Sequence, residues 1–225
     1  MKKKKLNSWE NIYSNNHSYR NHYPYDEVVS FIKSNFKDKL NKKILEIGCG
    51  TGNNISFLAE NGFDAYGFDA SKTAIEYAKK KLKQKKLISN VFVNTFNNYK
   101  YKKTFFDAVI DRSSLTFGDM VTVKKTIKKI HTCLKKGGLF FFTPFSDDSS
   151  RFSGAQDKKG LFVPKFLPLG GPDKRGLGVS FLSKKDIFSL FPANLWEIKN
   201  FYLRKNINIK NNFNFSYFQV ELKKK

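Results

Sequence analysis

Apolar and polar positions change period several times along the chain. Through DEVVSFIKSNF (26–36), Val28, Val29, Ile32 and Phe36 recur at the spacing of one helical stripe. Asp26 and Glu27 stand in its first turn, where the helix dipole favours carboxylates. The tight run KILEI (43–47) and the segment DAYGFD (64–69) read as strands flanking a short helix over 53–60. A longer helix follows in SKTAIEYAKKKLKQ, with Ser71 as its N-cap. NVFVN (90–94) and FFDAVID (105–111) continue the strand series. From 120 to 135, Met120, Val123, Ile127, Ile130 and Leu134 share one face, and Gly137-Gly138 is expected to stop that helix. LFFFTPF then gives a strand closed by Pro144. A short helix at SKKDIFSLF, a strand at LWEIKNFYL, an Asn- and Lys-rich turn and a final strand at NFSYFQVEL complete the pattern.

This alternation, with near-continuous apolar strands, predicts an α/β domain: a mostly parallel sheet of seven strands with helices on both faces. The last two strands, joined by a turn, form an antiparallel hairpin added to that sheet. Ligands in such sheets bind beyond the carboxyl ends of the strands, near the point where strand order reverses. Two stretches fall outside the alternation. Residues 1–25 are polar and aromatic and are expected to form an arm over the active site of a single domain at 26–225. Residues 144–181, rich in Pro, Gly, Ser and charge, are far longer than an ordinary connection and are expected to form a substrate loop or lid.

Composition narrows the surroundings. The 225 residues carry a formal net charge of +23, which makes nucleic acid a partner to weigh. The lysines are spread along the chain among many Asn, Ile and Phe, however, a bias that composition explains as readily as ligand choice. Two cysteines, Cys49 and Cys133, suggest neither a disulfide framework nor a metal site. No apolar run approaches the length of about 18 residues needed to span a membrane. The expected setting is the cytoplasm.

The chemistry concentrates in LEIGCGTGNN. Gly48, Gly50 and Gly52 let the backbone leave its strand sharply and approach a ligand where a Cβ would collide. A dinucleotide turn would run GxGxxG and present a helix amino terminus to a pyrophosphate. This turn runs GxGxG, and Glu46 two residues before it would repel phosphates and attract an ammonium group.

The segment Glu46-Ile-Gly48-Cys-Gly50-Thr-Gly52 resembles motif I of the class I S-adenosylmethionine-dependent methyltransferases, and the resemblance runs from about Asp26 to Leu222. It implies the Rossmann-like fold of that family and S-adenosylmethionine as cofactor. Glu46, Gly48, Cys49, Gly50, Thr51, Gly52 and Asn53 would lie along its methionine part. Asp69, 21 residues after Gly48, would take the ribose hydroxyls, with Ala70 beside it. Thr95 and Phe96 fall where the family places a Gly-Asp type pair beside the adenine, and the expected Asp is missing. Asp111 closes the fourth strand, and DRSSL resembles the DRGAL-type segment of small-molecule enzymes of the thiopurine methyltransferase kind. Arg112 would complete the cofactor side, and Ser113 and Phe117 would line the floor of the site.

The reaction implied is methyl transfer to a small-molecule acceptor, anionic or sugar-like in character, with Tyr23, Arg151 and Arg175 as further substrate contacts and Lys174 beside them. Asp111 and His22, with His17 in the same arm, are the candidate bases if the acceptor must lose a proton. An RNA or tRNA methyltransferase is the alternative, favoured by charge but lacking the Asn/Asp-Pro-Pro-aromatic motif of amino-directed enzymes. A non-catalytic cofactor-binding subunit is a third reading. The protein is expected to work as a monomer or homodimer, without a metal.

Overall fold

A computed structural model of the protein describes residues 9–15, 17–38, 41–88, 90–152 and 178–225. Among them, one sheet contains β1 (Lys43–Ile47), β2 (Asp64–Asp69), β3 (Asn90–Val93), β4 (Phe106–Asp111), β5 (Leu134–Phe142), β6 (Trp196–Asn208) and β7 (Phe213–Lys224). Their spatial order is β3-β2-β1-β4-β5-β7-β6. The first five run parallel, and β7 pairs antiparallel with both β5 and β6. The chain builds outward from β1 to β3 and returns on the other side of β1 as β4. Strand order therefore reverses between β1 and β4, where Ile47 sits opposite Asp111.

Alternation along the strands divides the interior in two. Leu45 and Ile47 of β1, Val109 of β4 and Phe140 and Phe142 of β5 pack on one face with α5 (Met120–Cys133) and α6 (Lys184–Leu190). Ile44, Ala108, Ile110 and Phe141 face the other way, against α2 (Asp26–Asn35), α3 (Asn53–Glu60) and α4 (Lys72–Gln84). Both faces are covered, which is why these strands read as unbroken apolar runs. Ser71 caps α4 by accepting from the Ala74 amide at 3.1 Å.

The structure revises the sequence reading in three places. The stretch expected to end helix α5 in lysines and stop at Gly137-Gly138 is the start of β5 instead. The helix ends at Cys133, and Leu134 already pairs with Phe106 before a register shift brings Leu139 opposite Ala108. Lys135 reaches Asp107 of the neighbouring strand at 2.8 Å, and Gly137 takes φ +73°, so the extra residues form a bulge. Strand β6 runs five residues beyond the expected LWEIKNFYL, to Asn208. Its distal half is exposed on both faces and shows no apolar alternation; pairing with β7 alone extends it. The arm contains a helix, α1 (Trp9–Asn15), too short to announce itself by period.

Of the segment expected to be a lid, residues 153–177, with Lys174 and Arg175, lie outside the described residues. Its two ends are stitched together beside the hairpin. Ser146 bridges Leu182, Phe145 bridges Tyr217, and Thr116 and Ser180 exchange hydrogen bonds.

Gly67 in β2 is closed in by the glycine turn and α3: an added Cβ would lie 2.9 Å from Cys49 Sγ and 2.9 Å from Ile55 Cδ1. Gly67→Ala is expected to destabilise the protein by about 1–3 kcal/mol through overpacking. Denaturant unfolding checks this, and an unchanged midpoint would show that the turn has room to spare.

Candidate functional site

Three carboxylates stand at the carboxyl ends of adjacent strands: Asp69 ends β2, Asp111 ends β4, and Glu46 lies one residue inside the end of β1. All three are buried. Each is held by neutral donors. Glu46 Oε1 accepts from Asn54 Nδ2 at 2.6 Å, and Asn54 in turn accepts the Tyr25 amide at 3.0 Å. Asp69 accepts the amides of Gly50 and Ser71, each at 2.9 Å, through different oxygens. Asp111 Oδ1 accepts the amides of Ser114 and Leu115 at 3.0 and 2.9 Å, together with the Ser114 hydroxyl.

The second oxygens of Glu46 and Asp111 are buried without a hydrogen-bond partner among the described residues. Such orphaned acceptors are costly unless something donates to them. Burial pushes Glu46 up to about 8, against the Asn54 hydrogen bond, and the charges of Asp111 and Asp69 push the same way. Asp111 rises to about 6, again through burial, although its three hydrogen bonds oppose the shift. Burial also raises Asp69, against the backbone amides that hold it. A ligand that carries a positive charge and several donors fits this donor-starved cluster, and Asp69 keeps lone pairs available for hydroxyl groups.

The glycine turn bends tightly against its own protein neighbours. Gly48 takes φ +66°, and a Cβ there would fall 2.3 Å from Ser114 Cβ. Gly50 takes φ +52°, and its Cβ would fall 2.6 Å from the Tyr13 hydroxyl. That second contact brings the arm into the site. Tyr13 is largely buried, and desolvation followed by the charge of Asp69 raises its phenol.

Further contacts fasten the arm. Asn53 Nδ2 donates to the Tyr23 carbonyl at 2.9 Å and Thr51 Oγ1 to that of Asn21 at 3.2 Å. Glu10 accepts from the Ser71 hydroxyl at 2.7 Å and from the hydroxyl and amide of Thr73. The Trp9 and Phe117 rings meet edge to face at 4.8 Å.

Not every residue named from sequence stands at the cluster. Tyr23 is 86% exposed and contributes a carbonyl, not its ring. His22 is exposed and lines a cleft against α4 among lysines. His17 begins a short 3-10 turn, and its side chain is outside the described set. Arg112 pairs with Glu27 and lies between the rings of Tyr25 and Tyr217, at 4.1 and 5.3 Å. The guanidinium thereby joins the start of α2 to β4 and β7, and Nη1 donates to the Ser113 hydroxyl at 2.8 Å.

Arg151, expected to face substrate, is 1% exposed and sits against Phe145 and Phe215. The Thr95 hydroxyl accepts the Asn98 amide at 3.3 Å in an exposed turn, and Phe96 packs its ring on Phe68. Ala70 is exposed beside Asp69. Cys49 is buried with its thiol pushed well up by desolvation, which suits a small turn residue.

Ser113 is buried at φ +55°, a strained value for a residue with a Cβ, and its hydroxyl donates to the Thr143 carbonyl at 2.7 Å. Phe117 stands between Trp9 and Phe145.

Residues 44–138, which contain the glycine turn, Glu46, Asp69 and Asp111, match the family model described as a methyltransferase domain. The fold agrees over a longer span. A solved S-adenosylmethionine-dependent methyltransferase from Methanosarcina mazei superposes with a TM-score of 0.71 at 19% identity, covering 90% of this chain and 98% of that one. A structure described for the conversion of a disulfide bond into a thioacetal group during echinomycin biosynthesis superposes at 0.70 with 18% identity, over 96% of this chain and 90% of that one. In sequence, the ubiquinone biosynthesis O-methyltransferase of Pelagibacter ubique (strain HTCC1062) is 30% identical over 146 residues, 63% of this chain and 58% of the relative. The chain spans between 49% and 58% of the length of the curated relatives it matches.

Several residues of the site and its arm had no single-residue signal. Asn54 and Tyr25 position Glu46, and Tyr13 meets Gly50. Glu10 had one, as the lone acid in the first 25 residues of a strongly basic chain.

Glu46 gives the domain a pH dependence. Its ordinary value of 4.5 is raised to about 8 on folding, so between those values the folded state holds a proton that the unfolded chain has released. Its contribution is complete at low pH and is lost as pH rises through about 8. The melting temperature of the ligand-free protein, relative to that of Glu46→Gln, is expected to fall between about pH 5 and about pH 9. A flat difference would place Glu46 in water, and a rising one would show its carboxylate form stabilised by donors, either of which contradicts the desolvated group described here.

Proposed function

We propose that the protein is an S-adenosylmethionine-dependent methyltransferase acting on a small-molecule acceptor. The observation that carries this is the pair of buried, unpartnered carboxylate oxygens of Glu46 and Asp111 beside a glycine turn that a Cβ would block. S-adenosylmethionine offers an ammonium, a ribose diol and a sulfonium, and when bound it supplies an electrophilic methyl group. Glu46 answers the ammonium, with Asn54 holding its other oxygen. Asp69 answers the diol while its backbone bonds keep it aimed. Neutralising part of this acidic cluster with a cation relieves its desolvation.

The chain's own work in methyl transfer is alignment and exclusion of water, which can be worth about 7–11 kcal/mol in favourable geometry. Trp9 and Phe117 bring the arm against the domain, and Phe145 continues this aromatic wall toward the hairpin. Asp111 is the proton acceptor for a hydroxyl acceptor: Oδ2 is unpartnered, and a value near 6 suits a base at neutral pH. The Pelagibacter relative named for O-methyl transfer and the echinomycin structure support an acceptor of small size. Arg151 no longer supports an anionic or sugar-like one, because it is buried in packing.

Calorimetry with S-adenosylmethionine tests the cofactor, and failure to bind would sink the enzyme reading. Asp69→Ala should weaken binding by about 2–3 kcal/mol through lost charge-assisted hydrogen bonds. Unchanged affinity would remove Asp69 from the ribose site. A labelled-methyl screen against metabolite and RNA fractions in parallel tests the acceptor. Label is expected in small molecules, and label confined to RNA would replace this reading with an RNA methyltransferase.

A further inference from the structure

Tyr13 brings to the glycine turn a hydroxyl that the described protein leaves unused. Helix α1 (Trp9–Asn15) is too short to hold its shape alone, and contacts on both sides fix it. Glu10 accepts from the Ser71 hydroxyl at 2.7 Å and from the Thr73 amide at 3.2 Å, at the start of α4, and Ile12 is buried. The Trp9 ring lies 5.8 Å from that of Tyr13 and 4.8 Å from that of Phe117. Arg20 Nη2 donates to the Tyr13 carbonyl at 3.3 Å. The phenol is thereby set on the backbone of Gly50, where a Cβ would fall 2.6 Å from its oxygen.

A residue that only covered the turn would do so better without a polar group, because a hydroxyl withdrawn from water is unfavourable unless it is hydrogen-bonded. The Tyr13 hydroxyl makes no hydrogen bond among the described residues. Loss of hydration, followed by the charge of Asp69 and then, more weakly, those of other neighbours including Glu46, keeps its proton on, so it is a donor at neutral pH. Other donors around the turn are engaged within the protein. Thr51 Oγ1 donates to the Asn21 carbonyl, Asn53 Nδ2 to that of Tyr23, and Asn54 Nδ2 to Glu46.

We infer that the Tyr13 hydroxyl is a ligand contact that donates to the α-carboxylate of the methyl donor. This rests on the methyl-donor reading of the site and adds the one charged group of S-adenosylmethionine for which that reading names no partner. Glu46 answers the ammonium and Asp69 the ribose diol, but each acid of the cluster repels a ligand carboxylate. In an α-amino acid the carboxylate is one carbon from the ammonium, so seating the ammonium on Glu46 brings the carboxylate to the same region. A neutral donor meets it without adding charge, and a hydrogen bond to an ionised acceptor is roughly twice as strong as one between neutral groups. The arm thereby makes the site selective for a nucleoside that carries an intact amino acid.

The test compares, on the full chain, calorimetric affinities for S-adenosylhomocysteine and for its decarboxylated analogue S-adenosyl-3-thiopropylamine, which keeps the adenosine, the thioether and the ammonium. Tyr13→Phe retains the ring beside Trp9 and removes the donor. It is expected to weaken S-adenosylhomocysteine about tenfold or more and the decarboxylated analogue less than about twofold. Both ligands are read on the same variant, so the ratio of the two losses decides whether or not its melting temperature moves. Equal losses for the two ligands, or no loss for either, would overturn the inference and leave the methyl-donor reading standing. Wild-type protein that binds neither ligand would overturn that reading, and the role of Tyr13 with it.

Discussion

The burial of three carboxylates at the carboxyl ends of adjacent strands is the constraint around which the rest of the domain is arranged. A carboxylate removed from water is unfavourable unless donors replace its hydration. Here the replacements are neutral: backbone amides at Asp69 and Asp111 and an asparagine amide at Glu46. Arg112 is turned to Glu27, although its charge still reaches Glu46 and Asp111. The cluster is thereby left electron-rich and incompletely satisfied, a condition that suits a cationic, donor-rich ligand.

The described arm residues, 9–15 and 17–25, attach beside these strand ends. Their attachment is polar at both ends, through Glu10 on the first turn of α4 and through Asn21, Tyr23 and Tyr25 on the glycine turn and the first turn of α3. The middle is aromatic, with Tyr13 against Gly50 and Trp9 against Phe117.

Much of the fold was legible because its signals are local. Parallel strands buried on both faces give apolar runs, helices between them give a period near 3.6, and a GxGxG turn with an acid before it can be found by eye. The errors came where one element's fate depends on another. The LKKGG segment has the composition of a helix end, yet β4 offers pairing partners and Asp107 a countercharge, so it becomes a bulged strand. The polar residues of β6 carry no alternation and are strand only because β7 pairs with them. Arg151 resembles a solvated loop cation until Phe145 and Phe215 close around it.

By itself the sequence determined the order of elements, the strand-end positions of Glu46, Asp69 and Asp111, and the bare backbone between them, because each follows from spacing within one segment. Tertiary structure alone decided which carboxylate oxygens are satisfied and which are left without donors. It also decided that Arg112 pairs with Glu27 and that Tyr13 closes on Gly50. These are meetings between residues distant along the chain, and their energies depend on distance and desolvation, quantities that exist only once the chain is packed.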